Sequence, residues 1–164
     1  MKVRIVVAAA LALGVAFGTA GCNLIQPQAT TNPYDASDGV GVNVGDLSLR
    51  NLMIISDNGE TGNLLLSVAN ATGSDTELHI GFVSGGEIVD GHLDVPSNDK
   101  TPTSWGSGSE DRIILGGINT IPGGLLEVAF EANGESKTVL VPVLTSAQPE
   151  YEGLEPKKVT KISK

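Results

Sequence analysis

Glu77-Leu78-His79-Ile80-Gly81-Phe82 sets an apolar side chain at every second position and polar or small residues between them. Successive side chains of a strand point to opposite faces, so this order buries Leu78, Ile80 and Phe82 and leaves Glu77 and His79 to water. Ser84-Gly85-Gly86 then reads as a hairpin turn, and Ile88 to Val95 as a weaker returning strand closed by Pro96. Upstream, Leu47 and Leu49 alternate before merging into Leu52-Met53-Ile54-Ile55, and Leu64, Leu66 and Val68 alternate with Asn63, Leu65 and Ser67. Turn residues separate these runs at 57–62 and 71–75. Downstream come Arg112 to Leu115, then Leu126, Val128 and Phe130 alternating with Glu127, Ala129 and Glu131. Asn133-Gly134 is a strong hairpin signal, and Thr138 to Leu144 gives the last strand.

Period-2 alternation between Gly, Asn and Asp turns, with no convincing amphipathic helix, predicts an all-β domain over 40–144. The expected form is an antiparallel Ig-like β-sandwich of about seven strands. Its inner face would carry Leu49, Leu66, Val68, Leu78, Ile80, Phe82, Val128, Phe130, Val139 and Val141. Pro142 cannot donate to a ladder, so the last strand is expected to be an edge or to bulge there.

Residues 1–21 differ in kind. Lys2 and Arg4 precede an apolar run from Ile5 to about Phe17, and small residues follow. A basic head, a short apolar stretch and small residues make a secretory signal peptide. The run is shorter than the about 20 residues that cross a bilayer comfortably. Thr19-Ala20-Gly21-Cys22 resembles the bacterial lipobox, although Thr19 stands where Leu is usual. The resemblance implies that Cys22 receives a diacylglyceryl group and becomes the first residue after cleavage. Two acyl chains anchor stably where one is marginal. The expected organisation is a signal peptide over 1–21, lipidated Cys22 and a flexible tether over 22–39, the β-domain over 40–144 and a flexible tail over 145–164. The expected location is the extracytoplasmic face of the cell membrane.

Removing 1–21 leaves 143 residues and takes away Lys2 and Arg4, so the formal charge moves from −9 to −11. That acidity argues against nucleic-acid binding, which needs a basic footprint. Cys22 is the sole cysteine. Lipid on it would rule out a disulfide, a thiol nucleophile and a cysteine metal cluster, so the fold must rest on its apolar core. The tail ends in Lys157, Lys158, Lys161 and Lys164. Contact with an anionic surface and simple solvation are both open readings of it.

Asn23-Leu24-Ile25, 34–40 and Val44-Gly45-Asp46, with Ile54-Ile55-Ser56-Asp57 and Val141-Pro142-Val143-Leu144, resemble uncharacterised actinobacterial lipoproteins. That likeness covers most of the chain and implies no known chemistry. Residues 44–51 and the run Asn63 to Ala71 more weakly resemble the opening of extracytoplasmic copper-chaperone sandwiches. That family uses several Met and a His-x-Met pair. Here Met53 is the only methionine left after cleavage, so its copper chemistry does not carry over.

His79 and His92 flank the Ser84-Gly85-Gly86 turn almost symmetrically and could face each other across a hairpin. With Glu77 or Asp94 they are the weak candidates for a metal; solvent-face histidines are the plain alternative. Gly106-Ser107-Gly108-Ser109 lacks the Gly-x-Ser-x-Gly order of a nucleophile elbow. Asp90, Asp94, Glu110 and Asp111 offer carboxylates, as any acidic surface does. Trp105, in a polar stretch over 97–111, is the candidate ligand contact, with burial in the core as its alternative. The expectation is a non-enzymatic binding or structural module without a cofactor. Its partners would be the membrane, through Cys22, and an envelope protein or cell-wall polymer.

Overall fold

The computed structural model describes residues 2–20, 34–97, 101–108 and 111–156. Cys22, Gly21, most of the tether and the lysines from 157 onward lie outside the described residues. The chain divides into two units, Met1–Tyr34 and Asp35–Lys164. The first contains helix α1, Lys2–Ala20, whose last two residues are Thr19 and Ala20. Among the described residues no helix is long and apolar enough to cross a membrane.

The second unit is all-β. Its strands are β1 Val40–Val44, β2 Leu47–Ile55, β3 Thr61–Asn70, β4 Thr76–Ser84, β5 Glu87–Val95, β6 Thr103–Trp105, β7 Ile113–Gly116, β8 Leu125–Ala132 and β9 Glu135–Leu144. They form one mixed sheet in the order β5-β4-β8-β9-β2-β3-β6, with β1 on β2 and β7 on β3. Among the described residues nine strands stand where about seven were expected. The additional ones are β1 and β6. Thr103-Ser104-Trp105 has no apolar alternation of its own, and it becomes a strand by pairing with Leu66, Ser67 and Val68.

Among the described residues the strand pairings are antiparallel except one. β2 and β9 run parallel, with Ile54 opposite Val143 and Ile55 opposite Leu144. β9 is therefore central and its register with β8 runs unbroken to Pro142, so the strand is neither the edge nor the bulge expected from that proline. Antiparallel pairing with β8 runs from Glu135 to Pro142, and pairing with β2 begins only at Val143. Pro142 sits at this changeover, where its missing N–H costs no ladder bond.

A second irregularity explains the apolar run in β2. Register with β3 slips between Arg50 and Met53. Asn51 lies in the slip with φ 55°, the left-handed region that Asn tolerates better than most residues. The extra residue reverses which parity faces inward. Leu47 and Leu49 point to the core before it, and Leu52 and Ile54 after it.

One core joins both halves of the curled sheet, with Leu49, Leu52, Leu64 and Leu66 packed in one cluster with Leu78, Phe82, Val128 and Phe130. Of the ten residues assigned to the inner face, Val139 alone is only partly covered.

β2 and β3 are buried on their second face too. Met53, Ile55 and Leu65 pack with Tyr151, Leu144 and Leu154. The segment after Leu144, expected to be a flexible tail, thus packs on the sheet as far as it is described. It turns through a 3₁₀ helix, Pro149–Tyr151. Asp57 accepts hydrogen bonds from the Thr145 and Ser146 hydroxyls and the Ser146 N–H. Arg112 donates to the carbonyls of Gly153 and Glu155. Buried Asn63 donates through Nδ2 to Gly106 O at 2.7 Å and Leu154 O at 2.9 Å. Tyr151 donates its hydroxyl to Asp38 at 2.5 Å. Burial, then that carboxylate, pushes the Tyr151 phenol up to about 12. The end of the expected tether is held as well, since Asp35 accepts the Gly41 N–H at 2.9 Å.

All nine strands and both clusters belong to the second unit, which therefore carries a complete core of its own.

Candidate functional site on the outer face of the sheet

β4 also builds the most distinctive surface. β4 turns Leu78, Ile80 and Phe82 inward, so Glu77, His79, Gly81 and Val83 line the outer face. The two-residue Gly85-Gly86 turn sets β5 beside it without a register slip, from Thr76 opposite Val95 to Ser84 opposite Glu87. β8 flanks β4 on the other side and brings Glu131 opposite His79 and Ala129 opposite Gly81.

His79 and His92 are direct cross-strand partners. Their ring centroids lie 6.0 Å apart with planes tilted by 52°. Glu77 Oε1 lies 2.7 Å from His79 Nε2, and Glu77 faces Asp94 across the ladder. Both histidines are exposed. The facing of the two histidines across a hairpin, expected from their near-equal distance to the Ser84-Gly85-Gly86 turn, is thus found. Among the described residues no three His, Cys, Asp or Glu side chains gather as a metal-holding group. Asp90 and Asp94 also point outward from β5, on either side of His92. Asp111 is exposed at the far edge of β3, and Glu110 and Ser109 lie outside the described residues.

Beyond the histidines the same face turns apolar. Val83, Ile88, Leu125 and Leu140 are all more than half exposed, Ile88 most of all at 77%. A shallow groove of about 410 Å³ lies here, lined by Gly81, Val83, Ile88, Glu127, Ala129 and Thr138 among others. Its origin is local. Gly81 and Ala129 sit opposite each other and are too small to fill the space between their larger neighbours. Sequence reasoning passed over this patch, although a signal was there. Val83 and Leu140 are apolar at positions whose parity is outward, and they stand beside inward Phe82 and Val141.

Trp105 is not an exposed loop residue. It is half-buried in β6 opposite Leu66 and packs against the main core. Strand pairing with β3 draws the indole over the sheet edge, which makes it first of all a packing residue.

Comparison of the chain with models of known protein families, with curated proteins and with solved structures finds no match to any of them.

Proposed function

We propose that the chain is an extracytoplasmic lipoprotein held on the cell membrane by lipid on Cys22. In this reading its β-domain is a non-enzymatic binding or structural module of the cell envelope. The observation that carries the reading is the order Thr19-Ala20-Gly21-Cys22 directly after an apolar helix-forming run, with no other cysteine in the chain. Residues 1–21 act as the signal peptide and are removed before Cys22. The curled sheet is read as an Ig-like sandwich, supported by the single core shared between its two halves.

The test is metabolic labelling with palmitate and detergent partitioning of the natural chain beside Cys22→Ser. The natural chain is expected to take label and enter the detergent phase, and the variant to do neither. Membrane retention of Cys22→Ser after signal removal would overturn the anchor. For the module, the outer apolar face replaces Trp105 as the surface to which an envelope protein or wall polymer binds. A photo-crosslinker at Ile88 should then capture a partner on intact cells, and the same group at position 105 should not.

A second reading is metal handling, favoured by the direct opposition of His79 and His92. The two cross-strand imidazoles offer a zinc or copper ion two nitrogen ligands. Titration calorimetry of residues 23–164 with each ion decides it: heat that is lost in His92→Ala supports the reading, and no heat at micromolar protein ends it.

A further inference from the structure

β5 ends the sheet order and pairs only with β4 among the described residues. It is nine residues long and holds no proline. In an antiparallel ladder the main-chain groups of alternate residues point to opposite sides. The tight turn closes on the Ser84–Glu87 pair, so Ile88, Asp90, His92 and Asp94 direct their N–H and C=O groups away from β4. Such an edge invites another strand. Charge on the edge is the common guard against it, so the arrangement of the charges matters more than their number.

We infer that β5 is the contact by which two copies of this chain pair, antiparallel and about a two-fold axis at Gly91. Side-chain parity leaves few candidates, because residues directly opposite must share a face. An axis at Asp90 sets Asp90 against Asp90 of the second copy. An axis at His92 sets Asp90 against Asp94 in both halves of the contact. Like charges directly opposite are destabilising. An axis at Gly91 sets Asp90 opposite His92 of the second copy, twice by symmetry, with an imidazole N–H donor facing a carboxylate acceptor each time.

The inner face agrees with this register. Val89 and Leu93 are only half-covered at the edge of the core. Pairing about Gly91 brings Val89 opposite Leu93 of the second copy and removes that remaining apolar surface from water. His92 has no hydrogen bond to its side chain within the chain among the described residues, so the pairing displaces no internal bond. Around it stand His79, Asp90, Asp94 and, beyond His79, Glu77 and Glu131.

The inference is independent of acylation, so its test uses residues 23–164, which include the whole second unit and lack Cys22. Sedimentation at about 0.15 M salt, where screening over about 8 Å limits the repulsion between two acidic chains, is expected to show concentration-dependent dimers. His92→Asp places carboxylates opposite each other and should weaken association roughly tenfold or more. The swap Asp90→His with His92→Asp should restore it in the same register. Gly91→Cys should cross-link two copies on oxidation, whereas Asp90→Cys and His92→Cys, each lying off the axis, should not. A monomer at every concentration, an undiminished dimer in His92→Asp, or no cross-link through Gly91→Cys would overturn the inference. Rescue by the swap separates a lost contact from a misfolded variant.

Discussion

Gly45→Ala is the perturbation whose cost the structure defines most sharply. Gly45 and Asp46 form the β1–β2 turn with φ 50° and 68°. A Cβ on Gly45 would lie 2.0 Å from Ala132 O and 2.5 Å from Ala132 C. The neighbouring atoms are backbone in β8, so no side chain can swing aside. The turn must lift, and two bonds that hold it suffer: Asn133 Nδ2 donates to Gly45 O at 2.7 Å, and Gly45 N donates to Glu135 Oε2 at 3.3 Å. A left-handed Ala costs about 1–2 kcal/mol. Overpacking against backbone adds about 1–3 kcal/mol, and a weakened hydrogen bond about 1 kcal/mol. Stiffening of the unfolded chain returns roughly 0.4–1 kcal/mol. The net loss is about 2–5.5 kcal/mol.

Gly134→Ala is the matched control. Gly134 has φ 77° and open space where its Cβ would go. Only the left-handed strain and the unfolded-chain compensation apply there, for a loss of at most about 1.6 kcal/mol. Urea unfolding of residues 23–164, followed through the single tryptophan, Trp105, and by circular dichroism, measures both. If the two variants lose stability equally, the close approach of the Gly45 turn to β8 is not what demands glycine, and the steric argument fails.

Other expectations concern the segment that covers the second face of β2 and β3. Asn63→Ala leaves the Gly106 and Leu154 carbonyls without their donor and should cost about 2–4 kcal/mol; hydrogen exchange at the Leu154 amide should quicken, and unchanged exchange would separate Asn63 from the hold on that segment. Tyr151 keeps its proton up to about 12, above the usual tyrosine value of about 10. Its contribution is therefore complete below about pH 10 and lost as pH rises towards 12; Tyr151→Phe should flatten the stability profile across that window. Asp57 is held below the usual carboxylate range by the Ser146 hydroxyl, then by the Ser146 N–H against opposing burial, with help from Thr145. That contribution is present above about pH 4 and is lost as pH falls through the lowered value, so Asp57→Asn should lower the urea midpoint at neutral pH more than at about pH 3.

Strand identity was legible because burial on one face writes itself into alternate residues. Leu78, Ile80 and Phe82 read as inward and are inward. The His79–His92 pairing was legible too, since the two histidines stand almost equally far from the Ser84-Gly85-Gly86 turn. Elsewhere the local signal was missing or ambiguous. β6 is polar and short, and Trp105 looked like a loop residue until β3 paired with it. Leu52-Met53-Ile54-Ile55 hid two causes at once, the parity change at Asn51 and a cover supplied from about a hundred residues away by Tyr151 and Leu154.

By itself, then, the sequence determined the all-β character, the inward-facing residues, the hairpin turns and the resemblance of Thr19 to Cys22 to a lipidation signal. Each rests on residues near one another in the chain, whose spacing is set by backbone geometry alone. Tertiary structure decided the parallel join of β2 to β9, the central place of Pro142 and the packing of residues 145–156. These depend on which distant segments share an edge or a face. That choice is made by the total surface buried when the sheet curls, and no local pattern of residues records it.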